Sequence, residues 1–278
     1  MTILLLTVTI LLGSYFAGLI GSMTGMGGGF IVIPLLTLLL HVNIHYAIGA
    51  SLLSVIATSS GAGVAYVRDG VANLRLAMFL EIATTAGAMA GALLSVYVPV
   101  NIIPILIGAI LIFSSIMSLR SKKEICCEDV SKLAERLNLN GTYQLDKRQI
   151  KYSVVNVVGG FFAMLFAGVT SGLLGIGSGA LKVFAMDTVM RVPFKVSTTT
   201  SNFMIGVTAS ASAVVYFQRG YIDPVISMPV AIGVILGSLT GAKLLTKISS
   251  PKLLRLIFAF VVALLAVQMI YEGIKSHK

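Results

Sequence analysis

Gly25-Met26-Gly27-Gly28-Gly29 interrupts an apolar run near the start of the chain, and Gly175-Ile176-Gly177-Ser178-Gly179 interrupts another 150 positions later. Glycines at this density break a helix, because each costs about 1 kcal/mol relative to alanine in a helix interior and readily takes up backbone angles other residues avoid. Within a bilayer such a break is tolerated only inside protein or beside a water-filled cavity, because lipid cannot hydrogen-bond the freed backbone groups. The stretch predicts two broken helices that face one polar pocket.

Working outward, the composition makes this an integral membrane protein. The 278 residues are 57% hydrophobic and only 11% charged, with no tryptophan, far from the balance of soluble domains. Ten apolar stretches can be read between Ile3 and Tyr271. Most have the roughly 20 residues needed to cross hydrocarbon, but the second (Phe30 to Leu40) and the seventh (Ala180 to Met190) are too short to cross comfortably. The first stretch has no basic leader and runs straight into the glycine break, so it is expected to be retained rather than removed as a signal peptide. The net charge of +10 does not point to nucleic acid, since the positive residues concentrate in loops, as the positive-inside rule describes. Cys126 and Cys127 are adjacent, with no disulfide framework or metal spacing, and are expected to be free thiols.

Sliding the chain on itself brings Gly27 and Gly29 onto Gly177 and Gly179, and Ser51, Thr58, Ser60 and Tyr66 onto Ser201, Thr208, Ser210 and Tyr216, without a gap. Small and polar residues in register mark an internal duplication. The connection Pro99 to Asn101 carries no basic residue, whereas its counterpart is flanked by Lys243, Lys247, Lys252 and Arg255. The turn His41 to His45 likewise lacks Lys and Arg, whereas its counterpart has Arg191 and Lys195. The halves therefore read as inverted repeats of about five segments each. Lys275 and Lys278 favour the competing eight-crossing arrangement, in which the two short segments turn back. The expected fold is an all-α membrane protein of 8 to 10 crossings: membrane repeat 1 over 1–119, a cytoplasmic connecting loop over 120–151, and membrane repeat 2 over 152–278. In the loop, Val130, Leu133, Ala134 and Leu137 predict a short amphipathic helix on the membrane surface or on the protein. The alternation Tyr143, Leu145, Ile150, Tyr152 predicts a hairpin.

Where a broken helix restarts, backbone N–H groups lack intrahelical acceptors and the helix dipole is positive, an arrangement that binds anions. The expected substrate-binding set is Gly25, Gly27, Gly28, Gly29, Ser51, Gly175, Gly177, Ser178, Gly179, Lys182, Ser201 and Asn202. Glycines also let helices pack closely, and that is the preferred reading of Gly87, Gly91, Gly237 and Gly241. Lys182, where the first half has Val32, is expected to face a cavity or a partner. Asp187 is the nearest candidate partner, but five residues is a poor spacing for direct pairing on one helix; Lys182 and Asp187 are the candidate coupling residues, with an interface position the alternative for Asp187. Ser51, Ser54 and Thr58 form a hydroxyl-bearing face at helical spacing. Glu81 and Asn156 are placed near an interface. No phosphate-binding loop occurs, so no ATP hydrolysis is expected. His41, His45 and His277 have no carboxylate or cysteine ligand cluster. No catalytic residue, metal or cofactor is expected.

With these residues in view, the chain resembles the TauE/SafE family, on the paired motifs GMGGGFIVIPLL from Gly25 and GIGSGALKVF from Gly175, each followed by a Ser/Thr-bearing helix. The resemblance implies a duplicated protein of the cytoplasmic membrane that moves sulfite, sulfonates or related organic anions. By the same comparison, Ser178 stands for a usual glycine, Phe184 for the usual proline and Lys182 for an apolar residue. A fixed charge at Lys182 suits a more highly charged anion or proton coupling. The function expected is a secondary transporter of a small oxyanion, working by rocking of one repeat against the other around a midplane site. An anion channel, or a membrane subunit that hands a sulfur compound to a cytosolic enzyme, is the alternative. The expected partners are the anionic substrate, the bilayer and a coupling proton, with a homodimer as the expected assembly and no nucleic acid.

Overall fold

The computed structural model describes residues 3–24, 27–68, 72–119, 131–145, 148–245 and 251–275. The first half consists of α1 (Ile3–Thr24), α2 (Gly29–Pro34) running into a π-helical turn (Leu35–Leu39), α3 (Ile44–Arg68), α4 (Leu74–Leu94) and α5 (Ile102–Leu119). A connecting segment follows, with α6 (Lys132–Arg136), β1 (Gly141–Leu145) and β2 (Arg148–Tyr152). The second half is α7 (Val157–Leu174), α8 (Gly179–Phe184) with its π-helical turn (Ala185–Val189), α9 (Phe194–Gln218), α10 (Pro224–Leu245) and α11 (Pro251–Lys275). Both copies of the short helix, both π turns and the helices α3 and α9 begin and end at matching positions of the repeat. Among the described residues, α1, α4, α7 and α10 are long and apolar enough to cross a membrane.

The π turns are not a proline effect. Pro34 lacks an N–H and disturbs a helix from within, yet Phe184 stands at the same place in the second copy and the same turn follows it. What the copies share is the ending. His41 (φ 52°) and Arg191 (φ 55°) take the left-handed conformation. The next residue then reaches back, Val42 N–H to Leu36 O at 3.0 Å and Val192 N–H to Met186 O at 2.9 Å. That closure satisfies carbonyls a helix end would otherwise leave bare.

The halves are interleaved. α1 packs on α10, and α7 on α4; α3 packs on α9, and α5 on α11. The two close crossings are copies of each other. A β-carbon at Gly18 would overlap the carbonyl of Val234, and one at Gly168 that of Thr84. Gly237 and Gly241 press likewise on Tyr15 and Leu19, as Gly87 and Gly91 do on Leu165 and Val169. Without side chains in the way, the helix backbones approach closely, which is how helices associate in lipid without a hydrophobic driving force.

The connecting segment docks on the protein rather than lying free on a membrane surface. Its strands pair antiparallel, with Tyr143 opposite Ile150. Ala134, Leu139, Tyr143 and Tyr152 join one buried cluster with Leu76, Ala77 and Leu80 of α4 and with Met186 and Met190. Asn73 caps α4 by accepting from the Leu76 N–H at 3.0 Å, and its amide donates to Leu139 O at 2.8 Å and to the Tyr152 hydroxyl at 2.9 Å. Burial pushes the Tyr152 phenol above its ordinary pKa, with the Asn73 hydrogen bond pulling the other way. Val130 of the expected amphipathic helix lies outside the described residues, and Leu133 and Leu137 are exposed while Ala134 is buried.

Two glycine substitutions separate packing from backbone strain. Gly172 is helical and its β-carbon would collide with the Ala88 carbonyl, whereas Gly220 has φ +72° and open space around it. Gly172→Ala is expected to cost about 1–3 kcal/mol through overpacking, and Gly220→Ala about 1–2 kcal/mol through left-handed geometry alone. Thermal unfolding in detergent reads both. An Ala88→Gly background, which leaves the carbonyl in place, should rescue neither.

Candidate functional site

The two breaks touch. A β-carbon on Gly29 would lie 3.2 Å from the carbonyl oxygen of Gly175 and 2.7 Å from Val55 Cγ2. Gly27 (φ 81°) and Gly177 (φ 75°) hold matching left-handed conformations, open to glycine without strain. Gly28, Gly29, Gly175, Gly177, Ser178 and Gly179 are all buried, and Gly25 lies outside the described residues. The copies differ at one point: Gly28 is right-handed (φ −75°), whereas Ser178 is left-handed (φ 40°) and its hydroxyl donates to Ala167 O.

What lies directly between the glycines is aliphatic, where a polar pocket is expected. A β-carbon at Gly177 would press on Val55 at 2.9 Å, and one at Gly27 would touch Val55 at 3.5 Å and sit 3.2 Å from Ile205 Cδ1. Val55 and Ile205 are fully buried and are each other's counterparts in α3 and α9. The hydroxyls stand a turn to either side and answer the backbone of the breaks. Ser51 donates to Gly175 O at 2.6 Å, Ser201 to Gly179 O at 3.2 Å, and the Gly28 N–H donates to Thr58 Oγ1 at 3.2 Å. Spacing along α3 places the hydroxyls on one face, but it does not show that the residue between them fills the meeting point.

Asn202 is the exception. It is fully buried, and neither its amide oxygen nor its amide nitrogen has a hydrogen-bond partner. A buried, unpaired amide costs about 1–3 kcal/mol or more, and nothing within the protein offsets that cost here. Its counterpart in the first half, Leu52, is apolar and also fully buried.

Lys182, in α8, is also fully buried, and its ammonium donates to Thr208 Oγ1 of α9. The Thr208 hydroxyl lies 2.6 Å from Glu81 Oε1 of α4, and Thr85 donates to the same oxygen at 3.2 Å. Glu81 Oε2 has no partner. The charge facing Lys182 is thus Glu81, which is 9% exposed and turned into the protein on α4. Asp187, the expected partner, lies half-buried on the π turn that follows. Asn156 sits exposed at the start of α7, where it caps the helix through the Gly159 N–H. The sequence does carry a signal for Glu81 and Lys182: each breaks the repeat, facing Ala231 and Val32 respectively, and the two broken positions meet in space. Among the described residues no group of His, Cys, Asp and Glu could hold a metal ion.

A mostly helical, duplicated membrane protein, with two abutting interrupted helices and buried polar groups around them, is the architecture of a transporter rather than of a soluble enzyme. The chain belongs to the sulfite exporter TauE/SafE family, whose model matches residues 10–269. It is 30% identical over 268 residues to the probable membrane transporter protein YunE of Bacillus subtilis, covering 94% of this chain and 96% of that one. It is 27% identical to the probable membrane transporter protein YdhB of the same organism, over 84% and 88% of the two chains. It is 24% identical to the probable membrane transporter protein MJ0441 of Methanocaldococcus jannaschii, over 96% of each. No solved structure matches.

Gly177→Ala is expected to destabilise by about 1–2 kcal/mol from its left-handed backbone, and further because the new carbon would lie 2.9 Å from Val55 Cγ1. In a Val55→Ala background the second part should vanish, so the two substitutions cost less together than their sum. Additive costs in a thermal unfolding cycle would show that Val55 does not press on the break.

Proposed function

We propose that the protein is a secondary transporter of a small anion, such as sulfite, a sulfonate or a related oxyanion, in the cytoplasmic membrane. The observation that carries this reading is the Asn202 amide, buried without a partner next to Ser201, which holds the second break. An oxyanion accepts hydrogen bonds from the amide nitrogen and leaves its own charge to be met by nearby donors. Gly27, Gly28, Gly29, Gly177, Ser178 and Gly179 let the backbone come close to such a guest, with Ser51 and Ser201 beside them. Lys182 supplies positive charge, with Glu81 facing it through Thr208.

The charge pattern of the loops supports inverted halves, and alternating access then exposes one central site to each face in turn. Val55 and Ile205 close the space between the breaks, which favours a carrier over a channel. An open channel requires a continuous polar path, whereas a carrier must at some stage close the site on both sides. The motion involved is expected to carry Val55 and Ile205 apart.

The test is binding followed by flux. Thermal-shift measurements against sulfite, sulfate, thiosulfate, methanesulfonate and small carboxylates should show stabilisation by the true ligand, since a guest that binds only the folded state raises its stability. Asn202→Leu, which copies Leu52, should keep the folded yield and lower anion affinity by about tenfold or more, the value of a hydrogen bond to a charged group. Saturable exchange in liposomes supports the carrier, and unchanged affinity in Asn202→Leu would sink the site. Ohmic current that does not saturate would favour the channel.

A further inference from the structure

We infer that Glu81, Thr208 and Lys182 form a proton-binding site in which Glu81 takes up one proton as the anion binds, so that anion and proton travel together. This rests on the anion-carrier reading above. The starting point is geometric: three helices of different parts of the chain, α4, α8 and α9, each contribute one member to a chain of hydrogen bonds. The Lys182 ammonium donates to Thr208, and the Thr208 hydroxyl to Glu81 Oε1. Glu81 Oε2 is buried and bonded to nothing. A carboxylate oxygen without a partner at this depth is the natural place for a proton, because protonation removes a charge that has no second ligand.

The trio is not needed to build the fold. In the other half the same arrangement of helices is made with Val32 and Ala231 in place of Lys182 and Glu81, while Thr58 keeps the place of Thr208. Thr58 there accepts from the Gly28 N–H and donates to Ser54 O at 2.8 Å. Removing two charges from water is costly unless they serve something beyond packing. The other titratable groups of the surrounding helices stand apart. Arg75 opens α4 and Lys195 opens α9, and both are exposed; Tyr216 lies near the far end of α9, and Asp187 is half-buried on the π turn. The described spans of α5 and α7 carry none.

The charge balance gives the mechanism. With no anion bound, the ammonium and the carboxylate cancel, and the site is neutral. A monovalent anion entering beside Asn202, six residues or about 9 Å along α9 from Thr208, would make the site net negative inside hydrocarbon. If Glu81 accepts a proton at its free oxygen, the carboxyl becomes neutral, Lys182 is left as a free positive charge, and the loaded site is neutral again. The proton is held as Glu81 O–H and leaves when the anion does. Thr208 changes no bond order; its hydroxyl only reorients, donating to Glu81 before protonation and free to turn afterwards. Linkage requires that the proton raise anion affinity by the same factor by which the anion raises proton affinity.

The experiment uses the purified full chain and methanesulfonate, a monovalent anion that does not titrate near neutrality. In weakly buffered solution with a pH indicator, the wild type should take up about one proton per anion bound, and its affinity should fall about tenfold per pH unit on the alkaline side. Glu81→Gln should bind without proton uptake and with an affinity that no longer depends on pH, and in liposomes it should exchange anions without responding to a pH gradient. If that variant does not fold, Glu81→Ala, which copies Ala231 and keeps Lys182 for the anion, should bind without proton uptake and without pH dependence. Binding by the wild type with no proton uptake overturns this inference and leaves the carrier reading standing. Retained uptake in either variant also overturns it. Failure of every anion to bind overturns both.

Discussion

Everything in this structure follows from the need to supply partners for polar groups where lipid offers none. Two runs of glycine break two helices inside the protein, and the breaks are placed against each other so that α3 and α9 can serve both. Ser51 reaches across from the first half to the Gly175 carbonyl of the second, while Ser201 and Thr58 serve breaks of their own halves. The α3·α9 contact is therefore the pivot of the molecule. It is where the broken stretches of both halves come together.

The interleaving of the halves constrains how such a molecule can move. Each tightly packed helix pair takes one helix from each half, α1 with α10 and α4 with α7, through glycines that bring backbone against backbone. Displacing one sequence repeat as a block against the other would open both crossings at once. A motion that keeps them intact moves α1 with α10 and α4 with α7 as mixed units, hinged where α3 and α9 cross them. Packed surfaces of this kind switch between discrete arrangements rather than deforming smoothly.

Much of this was legible in the residues, for identifiable reasons. The duplication was visible because Ser, Thr, Tyr and Gly recur in register where apolar residues would match by chance. The hairpin was visible because Tyr143 and Tyr152 alternate with polar neighbours. What could not be read was anything that depends on which helix lies beside which. Glu81 reads from the sequence as an acid near an interface, and only the packing of α4 on α9 brings it to Thr208. Val55 is one aliphatic residue among many in α3, and only the meeting of the breaks makes it the plug. Pro34 looks like the cause of the turn that follows it, until Phe184 is seen to lead into the same turn.

The departures from the repeat also explain why the two breaks differ chemically although they match in shape. Lys182 stands where the first half has Val32, Asn202 where it has Leu52, and Glu81 where the second half has Ala231. Lys182 and Asn202 belong to α8 and α9, and Glu81, although it comes from the first half, is brought to them because α4 packs on α9. All three polar departures thus collect around the second break, while their counterparts leave the first with Val32 and Leu52, both fully buried. A symmetric pair of helix starts would hold an anion between them on the pseudo-two-fold. In the proposed carrier the charge and the unpaired amide would draw it to one side, leaving the first break to hold the second in place.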